Sequence, residues 1–263
     1  KCFFHFGFET TTQFMKKYYL IFFLASALFT SVILACSDSK DDEYIPVETS
    51  PVTVDLTQVP YPKLSDYKFF KGLLKNQEPA LNVIPFEPAS TLFTDYALKK
   101  RFVWMPIGTK ATYNGDNKVL DLPVGAALIK TFYYDNVQNI PNVGGTRIIE
   151  TRVMIRKSTG WIFAEYVWNE DQTEATLQMN GSYIPMAWSH NGTPKSTNYR
   201  IPSETECFTC HKSNNNAVPI GIKPQNLNTN YDYATGTSNQ LQYWISKGVL
   251  NNTLPSSIVS TVD

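Results

Sequence analysis

An excess of charge of either sign is the first thing this chain lacks: 23 Lys and Arg residues are matched by 23 Asp and Glu across 263 positions. A balanced chain offers no basic footprint, so nucleic acid is not an expected partner. Cysteine is equally scarce, at 4 residues, and those are not spread as a framework, which excludes a disulfide-stapled scaffold. No internal repeat is visible, so each segment has to be read on its own. The length leaves room for one large domain or two modest ones. Aromatic residues are well supplied, at 14%, enough for a core or for lining a flat apolar cofactor.

The N-terminal region is more specific. Met15-Lys16-Lys17 opens a basic stretch, and an apolar run extends from Tyr18 to Leu34. The run closes on Ile33-Leu34-Ala35-Cys36 and turns abruptly polar with Ser37-Asp38-Ser39-Lys40-Asp41-Asp42-Glu43. A basic start, an apolar segment and a small residue before the cut describe a secretory signal over residues 15–35. The cysteine directly after the small residue resembles a bacterial lipobox, which makes Cys36 the lipidated first residue of the mature protein. The competing reading is a transmembrane anchor, for which the apolar run is just long enough. Residues 1–14 read as upstream translation and are set aside. The expected location is outside the cytoplasm, anchored by lipid to a bacterial membrane at its periplasmic face or at the cell surface. From position 36 to 62 the chain is polar with scattered prolines and reads as a flexible tether.

Beyond the tether, the pattern is that of strands. Leu64–Gly72 allows a short helix. Ala126–Tyr134 is apolar and aromatic, Thr146–Arg156 alternates, and a Lys157-Ser158-Thr159-Gly160 turn leads into Trp161–Trp168, a hairpin signature. Asn180-Gly181 and Asn191-Gly192 are two further turn signals, bracketing a strand at Ser182–Ser189. Residues 63–201 are therefore predicted to form a mainly antiparallel β domain, a sandwich or open barrel, followed at 202–263 by a cofactor-binding segment with short helices. Leu241, Trp244, Ile245 and Val249 fall at helical spacing.

Cys2 lies before the expected start and Cys36 is assigned to lipid, so only Cys207 and Cys210 remain in the mature body. They stand in Cys207-Phe208-Thr209-Cys210-His211, the attachment signature of a c-type haem. Two thiols add across the two vinyl groups of the porphyrin, and the adjoining histidine meets the iron as an axial ligand. Three other readings compete. A zinc half-site needs two more ligands that the mature chain lacks. A thioredoxin-like pair wants its CxxC at the start of a helix after a strand, and the Asn-rich run after His211 is a poor helix. A local disulfide leaves His211 adjacent by accident.

For the opposite side of the iron the residues leave alternatives open. No methionine follows His211; Met179, Met186 and His190 lie upstream, with Met186 or His190 the candidates for a distal ligand, and an open position is the other possibility. A proximal histidine usually gives its second ring N–H to a carbonyl or carboxylate. Pro224 with Leu227 resembles the Pro-x-Leu stretch that covers one haem face in small c cytochromes.

Larger blocks carry a wider resemblance. Ser90-Thr91-Leu92-Phe93-Thr94-Asp95-Tyr96-Ala97 with Lys99, Arg101 and Pro106 is similar to the Leu-Phe-Ser-Asp block of a family of exported bacterial c-type cytochromes, commonly dihaem and largely uncharacterised. Pro123-Val124-Gly125, Glu150-Thr151-Arg152, Tyr166-Val167-Trp168-Asn169-Glu170 and Pro219-Ile220-Gly221 succeed one another in family order, from about Tyr67 to Leu250. The family pattern continues into a second CxxCH module, so this chain, with one haem c here, reads as C-terminally truncated with room for a second haem in the full-length protein, or else as a monohaem member. The leading reading is an electron carrier, its haem relaying electrons between an exported dehydrogenase and a terminal acceptor. A haem enzyme with an open axial site, acting on peroxide or a small nitrogen compound, and a surface binding lipoprotein are the alternatives. The balance lies with a carrier rather than a catalyst. Asp95, Lys99, Arg101, Glu150, Arg152 and Glu170 in these blocks could shape a site or a docking face, or simply form ion pairs along strand edges.

The lipid assignment has a direct check. Cys36→Ser is expected to move the exported protein from the detergent phase to the aqueous phase in a phase-partition assay; a variant that stays with detergent would point to the transmembrane reading.

Overall fold

The computed structural model describes residues 18–19, 48–115 and 117–257. The chain divides into two units, Lys1–Glu48 and Thr49–Asp263, and every strand described belongs to the second. Cys36 and nearly all of the expected signal lie outside the described residues. Among those described, no helix is long and apolar enough to cross a membrane.

The centre is a six-stranded antiparallel sheet in simple sequential order. Two short strands precede it, β1 (Phe70–Lys71) and β2 (Glu78–Pro79), paired with each other. The sheet then runs β3 (Ile84–Pro85), β4 (Leu98–Trp104), β5 (Ala127–Tyr134), β6 (Arg147–Lys157), β7 (Gly160–Trp168) and β8 (Ala175–Leu177). Two long strands, β9 (Asn180–His190) and β10 (Thr193–Ser203), form a separate hairpin. The mainly β, antiparallel class expected from the sequence is the class observed.

Because side chains alternate along a strand, the register sorts residues onto two faces. On one face Phe102, Ile129, Val153 and Ala164 lie across four neighbouring strands. They join one core with Val59, Tyr61, Leu64, Tyr67 and Phe69 from the segment that precedes the sheet. A buried tyrosine relay fastens that segment: Tyr166 donates to the Tyr61 carbonyl at 2.8 Å, and the Tyr67 and Tyr166 hydroxyls meet at 2.8 Å. Residues 50–62 are thus not a free tether. Val52, Val54 and Leu56 pack on this core, and Val59 and Tyr61 are buried in it.

The opposite face is covered in two pieces. At one end the β9–β10 hairpin lays Met186, Trp188, Tyr199 and Ile201 on Phe132, Tyr134 and Ile149. At the other end Ile222, Leu227, Leu241 and Trp244 pack with Ile84, Val103 and Leu122. The segment after residue 201 therefore shares a core with the sheet instead of forming its own domain. Its last helix, Gln240–Ser246, carries Leu241 and Trp244 inward and is capped by Asn239, whose side chain accepts from Leu241 and Gln242 N–H.

One turn signal holds and one does not. Asn191-Gly192 joins β9 to β10 with both residues at positive φ, the primed two-residue turn. Asn180-Gly181 makes no hairpin: β8 pairs with β7 and bridges Lys63 on its other side, and β9 starts the second hairpin. Gly181 instead lets the backbone cross close to β10, where a Cβ would come within 2.9 Å of Ser203 N. The same dipeptide chemistry serves a close crossing because β9 takes β10 as its partner, and that choice is made at long range.

Trp244→Ala tests the shared core. Truncating a fully buried Trp is expected to cost about 3–5 kcal/mol in denaturant unfolding, within one cooperative transition. Two separable transitions would show an independent C-terminal domain.

Candidate functional site

Between the two covers, the sheet floor is left open as a cleft of about 370 Å³, within the range of small-molecule sites. Register puts Arg101, Lys130, Arg152 and Glu165 side by side across β4, β5, β6 and β7. The next row along is apolar: Val103, Leu128, Met154 and Phe163. All of these except Val103 line the cleft, together with Cys207 and His211. Its remaining wall comes from Pro219–Lys223 and a rim from Ser90, Thr91 and Leu92.

The cysteines are carried on a short helix, α1 (Glu204–Cys210), that continues directly from β10 and brings Cys207, but not Cys210, to the cleft. Ser203 and Glu206 form its capping box, with Ser203 N–H donating to the Glu206 carboxylate at 2.7 Å. That bond, with Arg200 beside it, lowers the Glu206 carboxyl to about 2. The Ser203-x-x-Glu206 spacing was there to be read as a helix start. Cys207 and Cys210 are three apart on this helix and so neighbours on its surface. Cys207 is half-buried and Cys210 exposed. A redox-active CxxC sits at a helix N-terminus, where its thiol is acidified. Here burial pushes the Cys207 thiol up, only partly countered by Arg152.

His211 is held by the mini-hairpin that comes after it. β11 (Lys212–Ser213) pairs with β12 (Asn216–Ala217) around Asn214 and Asn215, both left-handed. Asparagine tolerates that conformation better than most residues, so the Asn-rich stretch is a turn with a purpose. The fold-back brings the Val218 carbonyl to 3.0 Å from His211 Nδ1. A carbonyl only accepts, so Nδ1 carries the proton and Nε2 is the bare nitrogen. Burial lowers the His211 pKa against the opposing Val218 bond, with Lys130 and Arg152 adding to the shift, which favours the neutral imidazole that binds metals. Phe163 meets the ring edge-on at 5.6 Å between centroids.

A buried ion-pair network ties this corner to the sheet. Arg152 reaches Glu150 at 2.5 Å and Glu165 at 3.4 Å, and Tyr199 donates to Glu150 at 2.6 Å. The Cys207 thiol lies 3.7 Å from the Glu165 carboxylate. Arg152 also stacks over Phe132.

Several sequence candidates fall elsewhere. Met186 is buried in the hairpin core with Trp188 and Tyr199, and His190 is exposed at the hairpin tip against Tyr96. Neither lines the cleft, because β9 pairs with β10 over the far end of the sheet. Met179 bonds through sulfur to Glu165 N–H and does not line it either. Pro224 starts the short helix α2 (Pro224–Leu227), and Leu227 turns into the core behind the wall; Pro219 and Ile220 face the cleft instead. Asp95 and Glu170 are exposed, while Lys99 binds the Leu92 carbonyl at the rim. Met154, which the sequence did not single out, and Lys130, which it marked only within the Lys130-Thr131-Phe132 block of the resemblance, do line the cleft. Only pairing across strands brings them to the wall beside His211.

The donor set matches what a covalently attached c-type haem asks: two thiols on one helix surface, an imidazole with its second nitrogen committed to a carbonyl, and a largely apolar cleft. Among the described residues no three His, Cys, Asp or Glu side chains gather as a metal-ion site. No protein-family model, curated protein or solved structure matches the chain.

Burial pushes the Lys130 ammonium down to about 7, helped by Arg101, Arg152 and Lys99 and opposed by Glu150. The unfolded chain keeps this proton to about pH 10.4. Between these values the unfolded state binds more protons, so stability rises with pH. Denaturant titrations of the haem-free chain at low anion concentration are expected to show that rise from about pH 7 to 10, and Lys130→Met to flatten it.

Proposed function

We propose that this protein is an exported, lipid-anchored c-type cytochrome that carries electrons, akin to the exported cytochrome family whose blocks it resembles. The observation that carries the reading is the His211 arrangement. Its Nδ1 is committed to the Val218 carbonyl, leaving Nε2 available at a cleft that Cys207 also lines.

In this reading Cys207 and Cys210 hold the porphyrin through thioether bonds and His211 Nε2 is the proximal iron ligand. The bound group supplies one-electron exchange between ferric and ferrous iron. The chain's own residues do the rest. The Val218 carbonyl fixes the imidazole's tautomer and strengthens it as a donor. Phe163, Leu128 and Met154 give the cleft an apolar row beside its charged one, and both rows bear on the potential. Glu165, held by Arg152, steadies the helix that carries the thiols. The redox partner would be an exported dehydrogenase or a terminal acceptor.

A second reading has an observation of its own. Met186 and His190 lie away from the cleft, while Arg101 and Lys130 face into it. That arrangement suits a haem enzyme acting on peroxide or a small nitrogen compound.

Production of the chain in a host with c-type maturation is expected to yield haem that survives denaturation, seen as a pyridine haemochrome. Cys207→Ala with Cys210→Ala should abolish it, and a chain that never acquires covalent haem would overturn the assignment. A low-spin spectrum unmoved by cyanide supports the carrier; a high-spin spectrum that shifts with cyanide supports the enzyme.

A further inference from the structure

Arg101 and Lys130 are direct neighbours on β4 and β5, both facing the cleft. Like charges set opposite one another in a sheet repel, and with Arg101 buried and Lys130 half-buried little water is left to screen that repulsion. Arg101 is only 8% exposed, yet its ion-pair partner among the described residues is Glu87, 3.9 Å away and itself 60% exposed. Among the described residues Lys130 forms no ion pair and only overlies the Phe132 ring. The third cation of the row is differently placed. Arg152 is shared by two buried carboxylates, Glu150 and Glu165. The row is therefore well compensated at Arg152, weakly at Arg101 and by no ion pair at Lys130, and the weakly compensated pair opens onto the cleft that Ser90 and Thr91 also line.

We infer that Arg101 and Lys130 form a binding site for an oxyanion, a carboxylate or small inorganic anion, that neutralises the pair. Arg101 supplies a forked donor suited to two oxygens, and Lys130 a point charge beside it. The occupant is either a carboxylate carried by the cofactor or a free small anion; the site stands on the sheet register and does not require haem.

The test uses the full chain from a host with c-type maturation, as wild type, Arg101→Gln, Lys130→Gln and the charge-keeping Arg101→Lys. Thermal midpoints are measured with acetate or inorganic phosphate replacing chloride at constant ionic strength, and haem content by haemochrome. A saturable rise in wild type that both Gln variants lose and Arg101→Lys keeps supports the site with a free anion. No response to added anion, with both Gln variants several degrees less stable and their midpoint potentials shifted downward, supports it with a cofactor carboxylate. Gln variants as stable as wild type or more so, with no anion response in any form, overturn it, because removing an uncompensated buried cation relieves strain. An anion response without haem leaves this site standing and removes the haem reading; haem with neutral variants does the reverse. Should Arg101→Gln fail to fold, Lys130→Gln and the Arg101→Lys comparison carry the same distinction.

Discussion

The Arg152 guanidinium, with a carboxylate on either side of it, is the interaction around which the site is organised. Glu150 and Glu165 are almost fully buried, and two carboxylates at that depth are tolerable only with a cation between them. Burial alone would lower the Arg152 pKa; Glu150, with Tyr199 and Cys207 adding to it, more than reverses that. Tyr199 joins Glu150 from the β9–β10 hairpin, and the Cys207 thiol lies against Glu165. One half-buried cation thus links the sheet floor, the hairpin that covers one end and the helix that presents the cysteines. Breaking one partner of such a pair leaves an uncompensated charge, so the arrangement holds as a unit.

Around that network the architecture is a matter of coverage. One face of the sheet is sealed by the segment before it, through the Tyr61, Tyr67 and Tyr166 relay. The other face is sealed at both ends by different parts of the chain and left open in the middle. A sheet of antiparallel strands usually shows one solvated face, and polar side chains there need no explanation. In this protein the polar row is walled in on both sides, and His211 and Cys207 stand at its edge. A charge that would be ordinary on an open sheet is costly in the cleft, which is what turns Arg101 and Lys130 from surface residues into recognition groups.

Much of this was legible in local sequence. The alternation of Thr146–Arg156, the Asn191-Gly192 turn and the helical spacing of Leu241 and Trp244 reflect short-range rules of backbone and period. The CxxCH spacing is a local chemical pattern and locates the candidate attachment residues without any fold. Asn180-Gly181 misled because its glycine answers to a strand about 20 positions away, and the supposed tether at 50–62 misled because its valines and Tyr61 bury only once the sheet exists.

The sequence by itself determined the antiparallel β class, the hairpin at Asn191-Gly192 and the three residues of the candidate attachment motif, since each depends on patterns within a few positions of chain. Tertiary structure alone decided what surrounds His211. The Val218 carbonyl on its ring, the retreat of Met186, His190 and Leu227 into other surroundings, and the row of Arg101, Lys130, Arg152 and Glu165 all come from strand register and from which segment covers which end of the sheet. Register is set by the sum of cross-strand packing, and no single stretch of sequence carries that sum.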